Sequence, residues 1–185
     1  MREHALGSIL GAGVRAIAGE KVGYAYTDGI DPTSLIEAAK VAAEIATEGT
    51  SGEVADLARL KRAKASSRVL IHPREVEAGR KIELAWQADR AARELDKRIR
   101  EVLVGLADED KTILVANSEG LHISDRRVIT SLRVTAVAEQ AGARQRGFHS
   151  FSGRAGYELF DERAPGEVAA EAARQAVLLL GAQET

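Results

Sequence analysis

The sequence contains no cysteine, which excludes a disulfide framework, a thiolate metal site and a cysteine nucleophile. No apolar run approaches the roughly 18 residues that a membrane-spanning helix needs. The opening MREHALGSILGAG lacks the apolar core and cleavage pattern of a secretory signal. A net charge of -2 supplies no excess of positive charge to grip nucleic acid or anionic lipid. Histidine is sparse: His4, His72, His122 and His149 are scattered, and neither HExxH, GxSxG nor a Walker loop occurs. These absences predict a cytoplasmic protein with no nucleic-acid or membrane partner, no metal site in this chain and no self-contained catalytic centre.

What is present reads as an ordinary globule. The 185 residues are 45% hydrophobic and 29% charged, enough for one well-cored domain. Residues 1–185 are read as a single α+β domain: an antiparallel β-sheet meander of about five to seven strands, packed by about three helices.

Period two supplies the strand signal. Val128, Thr130, Leu132, Val134 and Ala136 share one face, with Ser131, Arg133 and Thr135 opposite. Upstream, Val102, Val104 and Leu106 alternate, Asp108-Glu109-Asp110 interrupts, and Thr112–Ala116 forms a second run. Asn117–Gly120 has turn chemistry. Connections this short favour antiparallel pairing over helical crossovers. Gly13–Thr27 reads as a further hairpin. The glycines at Gly11 and Gly13 fit a dinucleotide loop poorly, because no helix pattern follows them.

Three helices are expected, near 32–48, 78–96 and 166–180. The first starts at Asp31-Pro32 and stripes Leu35, Ile36, Ala39, Ala42, Ala43 and Ala46. The second stripes Ala78, Ile82, Ala85, Ala88, Ala92 and Leu95, with Trp86 read as core beside it. The third follows Pro165 with Val168, Ala172, Ala176, Leu179 and Leu180. Residues 49–68 read as a loop or weak helix. His72 and Glu75 have an HxxE spacing, but Pro73 between them favours a plain loop histidine.

The one stretch with binding chemistry is Ala141–Gly156, read as a loop with four glycines and Arg144, Arg146, His149 and Arg154. Glycines permit close backbone approach, and guanidinium groups grip carboxylates or backbone carbonyls. Tyr157 could add a flat wall. The competing reading is a mobile tip with solvated cations. Tyr157, Leu159 and Phe160 are expected to return to the sheet.

Four segments in order resemble one family. They are residues 13–46 (GVRAIAGEKVGYAYTDGIDPTSLIEAAKVAAEIA), 115–127 (VANSEGLHISDRR), 144–160 (RQRGFHSFSGRAGYELF) and the closing 171–182 (EAARQAVLLLGA). Together they resemble the N-terminal domain of the TldD/PmbA family, also called modulators of DNA gyrase. The resemblance implies part of a metalloprotease that processes peptides or unfolded protein. It also implies pairing with a TldE-like paralogue, or self-association. It places a zinc-type metal and its HExxxH helix in a C-terminal half that has no counterpart here. The chain is therefore expected to be inactive alone, as either a fragment or a split gene. Arg144, Arg146, His149, Arg154 and Tyr157 are then substrate-binding candidates. The alternative is a free-standing binding or assembly module.

Overall fold

The computed structural model describes residues 5–47 and 69–182, so the 49–68 reading lies outside the described residues. The chain divides into two compact units, residues 1–56 and 57–185, where the sequence reading treats it as one domain.

The first unit is a hairpin carrying one helix. Strands β1 (Ala12–Ala18) and β2 (Lys21–Thr27) pair antiparallel around Gly19, whose φ of 64° only glycine adopts freely. Helix α1 (Pro32–Thr47) begins where predicted: Asp31 Oδ1 accepts the backbone N–H groups of Thr33 (3.0 Å) and Ser34 (3.1 Å). Its buried stripe is Ala38, Ala42 and Ala46, the last two as expected, while Ile36 and Ala39 are exposed. The helix backbone lies so close to the hairpin that a Cβ on Gly23 would collide with Ala42 and Ala46. Small residues therefore form this contact, while Tyr24 and Tyr26 point away from it and are exposed.

The second unit holds the larger core. After a single 3-10 turn (Pro73–Glu75) come α2 (Ala78–Leu95), β3 (Ile99–Ala116), β4 (His122–Gln140) and β5 (Ala143–Gly153). A short α3 (Leu159–Glu162) and α4 (Pro165–Leu180) follow. The sheet order is β3-β4-β5, all antiparallel. Among the described residues there are thus five strands, in two sheets. Even-numbered β4 residues Val128–Ala138 face the helices and odd ones face away, as the period-two pattern requires. Leu132, Val134, Ala136 and Ala138 pack with Leu84, Ala88 and Ala92 of α2 and with Val168, Ala169, Ala172, Ala173 and Ala176 of α4. Thr130, fully buried, donates its hydroxyl to Ala155 O at 2.9 Å.

Several local expectations are corrected. The acidic triplet does not interrupt the sheet: β3 runs through it because Asp108 and Asp110 find cationic partners. Trp86 and Ile82 are exposed, since the buried line of α2 is Leu84, Ala88 and Ala92. Leu179 is exposed on α4 for a similar reason. Tyr157, Leu159 and Phe160 do not rejoin the sheet but form a turn and a short helix.

Candidate functional site

The stretch 141–156 is a strand and its turns, not a loop. Only Ala141 and Gly142, with φ of 51° and 85°, form the tip of the β4–β5 hairpin. The other three glycines serve the fold. A Cβ on Gly147 would enter the backbone of α4 at Ala172 and Ala176, one on Gly153 would meet Leu159, and one on Gly156 would strike Ile71 O.

Alternation along β5 divides the candidate residues. Arg144 and Arg146 project from the open face of the sheet with Phe148, whereas His149 faces the helices and its Nε2 is buried without a hydrogen-bond partner. Arg144 pairs with Glu101 at 3.2 Å and with Glu139 at 3.9 Å. Arg146 is exposed, with no hydrogen bond or ion pair among the described residues. Glu101, Val137, Arg144, Gln145 and Arg146 line a shallow depression there. Arg154 stands apart, 3.8 Å from Asp125.

Tyr157 belongs to a different cluster, which the sequence reading missed. It is buried, its ring meets Phe160 edge-on, and its hydroxyl donates to Asp108 Oδ2 at 2.8 Å. Lys81 Nζ donates to the same oxygen at 2.8 Å and lies 5.1 Å from the tyrosine ring. Burial first, then the Asp108 carboxylate, raises the phenol's pKa far above its ordinary value.

Two residues along β3, Arg126 grips Asp110 with both carboxylate oxygens (2.8 Å each). His72 Nδ1 accepts the Arg74 N–H at 3.2 Å, and its Nε2 lies 3.3 Å from Asp110 Oδ2. Arg126 Nη2 lies 2.7 Å from the same ring nitrogen, so the imidazole edge meets both members of the Asp110–Arg126 pair. The Arg126 hydrogen bonds pull the Asp110 pKa down; burial opposes this, and the charges of Arg126, His72 and Arg74 add to it. Nearby, Glu158 accepts the backbone N–H groups of Leu70 (3.1 Å), Ile71 (2.8 Å) and Gly156 (2.9 Å). Burial pushes its carboxyl pKa up, and these N–H groups outweigh that and leave it lowered. A signal for this cluster was in the sequence: Asp108 and Asp110 continue the register of Val102, Val104 and Leu106, so they must lie on the helix-covered face.

The PmbA/TldA metallopeptidase central domain profile matches residues 71–180, and that of domain 1 matches residues 5–46. The chain belongs to the PmbA/TldD metallopeptidase family. A metalloprotease TldD homolog of Haemophilus influenzae is 33% identical over 178 residues, covering 93% of this chain and 37% of that protein. One from Buchnera aphidicola (subsp. Acyrthosiphon pisum) is 34% identical, covering 81% and 31%. The chain thus spans about a third of the length of these relatives. The crystal structure of a putative modulator of a DNA gyrase from Thermotoga maritima shares the fold, with TM-score 0.72, 17% identity, and 95% of this chain and 39% of that one covered. TldE from Thermococcus kodakarensis does so with TM-score 0.61, 18% identity, and 88% and 36% covered.

A metallopeptidase family implies a metal, and the cluster on β3 does not fit one. Both Asp110 oxygens are taken by Arg126, and a cation would have to sit between the Arg74 and Arg126 guanidinium groups. Among the described residues no group of three histidine, aspartate or glutamate side chains could hold a metal ion. No helix among them is long and apolar enough to cross a membrane.

Proposed function

We propose that this chain supplies non-catalytic domains of a TldD-like, zinc-type metallopeptidase that processes peptides or unfolded protein. In this reading it shapes the substrate path and contributes to association with a TldE-like paralogue or a second copy. The carrying observation is the ordered match of two metallopeptidase domains over both units, in a sequence without an HExxxH motif. Hydrolysis would then belong to a C-terminal half, and the role of these domains is to bind and orient. Arg144 and Arg146 are the side chains assigned to substrate. They share an exposed face, and a guanidinium there can pair with a peptide carboxylate or its carbonyls. His149 takes no direct part, because it faces α4, and Tyr157 and Arg154 act through the fold.

The test is Arg144→Ala with Arg146→Ala in the complete enzyme, assayed for peptide turnover and thermal stability. Lost turnover at unchanged stability supports the role, and unchanged turnover removes it. Co-purification of the complete enzyme with the TldE-like paralogue tests association separately.

A further inference from the structure

The open face of the larger sheet carries a group of side chains that the peptide reading leaves unused. Register fixes their places. Phe148 of β5 stands in one row with Thr135 of β4 and Leu103 of β3. The next row along the strands holds Ser150, Arg133 and Gly105. Arg146 lies one row to the other side of Phe148. Successive rows on one face are about 7 Å apart.

Three features distinguish this group. Phe148 is 53% exposed, and among the described residues its ring has neither an aromatic nor a cationic neighbour. Arg133 and Arg146 are exposed and make no hydrogen bond or ion pair among those residues, although Arg127 and Arg144 on the same face are both paired. The space beside Arg133 is open, since a Cβ on Gly105 would approach only the Arg133 carbonyl oxygen, at 4.0 Å.

An exposed phenylalanine offers a plane on which flat groups stack. A guanidinium without a partner selects an anion with several oxygens. An aliphatic carboxylate would use the arginines and leave the ring idle, and an uncharged aromatic would do the reverse. The ligand that uses both is a flat ring system joined to an anion. Open antiparallel sheets take nucleotides in this way, with an aromatic side chain under the base and basic or hydroxyl groups at the phosphate.

We propose that this face binds a 5′-mononucleotide, its base stacked on Phe148 and its phosphate held by Arg133 and the Ser150 hydroxyl one row away. Arg146, on the far side of the ring, adds a second positive charge. A longer nucleic acid is disfavoured, because Glu109 at one end of the face and Glu101 and Glu139 at the other would repel a continuing phosphate backbone. This inference goes beyond the peptide-processing reading and does not depend on it.

The probe is AMP, titrated into the isotopically labelled 185-residue chain and followed by amide chemical shifts. Saturable binding with a Kd of about 10 μM to 1 mM is expected, with shifts centred on residues 131–135 and 146–150. Adenosine and ribose 5-phosphate, each carrying half of the recognised chemistry, should bind about tenfold more weakly or worse. Phe148→Ala should weaken AMP by about tenfold and leave ribose 5-phosphate unchanged. Arg133→Ala should weaken AMP and ribose 5-phosphate alike and leave adenosine unchanged. If either variant fails to fold, the shift map and the two half-ligands on the unaltered chain still decide. Absence of saturation at about 5 mM AMP, or equal affinity for inorganic phosphate, overturns the proposal. So does an affinity that climbs steadily with the length of an oligothymidylate, which marks an extended nucleic-acid surface. None of these outcomes bears on the turnover of the Arg144/Arg146 variant, so the two readings fail separately.

Discussion

Each unit seats an alanine-faced helix on a sheet glycine, α1 on Gly23 and α4 on Gly147. They differ in what surrounds that contact. In the second unit, α4 also buries Val168 against Leu132 and Val134, all at 0% exposure. In the first, the buried apolar side chains among the described residues are Ala38, Ala42 and Ala46, while the large Ile17, Tyr24, Tyr26, Ile36 and Ile45 are exposed. A glycine–alanine contact fixes how closely helix and sheet approach, but alanine removes little apolar area from water. Close approach specifies geometry, and large buried side chains supply most of the stability. A two-stranded hairpin has few of these to offer.

The sharpest way to break the comparison is Leu132→Ala, which empties the centre of the larger core. It should lower stability by about 3 kcal/mol, read by denaturant unfolding. Gly147→Ala is expected to lower it by about 2 kcal/mol, because a methyl group meets helix backbone that cannot move aside. Gly23→Ala makes the same collision in the first unit, and the main unfolding transition of the second should be unmoved. Hydrogen exchange of the α1 amides should rise instead. A shift of the main transition by Gly23→Ala would show the two units to be energetically coupled.

A smaller effect comes from Asp110→Asn, which loses the charge held by Arg126 and His72 at a site only 11% exposed. The expected loss is about 1–2 kcal/mol at neutral pH. The folded pKa lies below the unfolded one, so this stability is present above the unfolded pKa and fades as pH falls through the folded value. The gap between the unfolding free energies of the two proteins should therefore close on acidification. The least effect is expected of Arg144→Ala, whose partners are as exposed as itself. Its stability change should stay within about 0.5 kcal/mol, which is what makes it a clean probe of turnover.

Period two placed β4 residue by residue, and the Asp31 cap and Pro165 located two helix starts, because both signals are local. Other features depended on partners remote in sequence. The acids of β3 read as a break until Tyr157, 49 residues away, and Arg126 supply their hydrogen bonds. Gly147 read as freedom for a ligand until α4 filled the space above it. The stripes of α1 and α2 were right at Ala42, Ala46, Ala88 and Ala92 and wrong at Ile36, Ala39 and Ile82, because alanine, at home on either face, leaves the buried line ambiguous wherever it is abundant. Of the candidate site, Arg144 and Arg146 were visible as residue types. That His149 lies across the sheet from them was fixed only once the stretch proved to be a strand.

The β3–β4 ladder is longer than the body that supports it. Strand β5 pairs with β4 only from Thr130 onward, so among the described residues Lys111–Ala116 and His122–Arg127 continue as a two-stranded ribbon. Six residues extend about 20 Å, and two-stranded ribbons twist more steeply than wider sheets. The Asp110–Arg126 pair stands at the root of this ribbon and ties its two strands together there. Over that length, a few degrees of rotation at the root would carry Leu114, Val115 and Leu121 at the far end through about 1–2 Å.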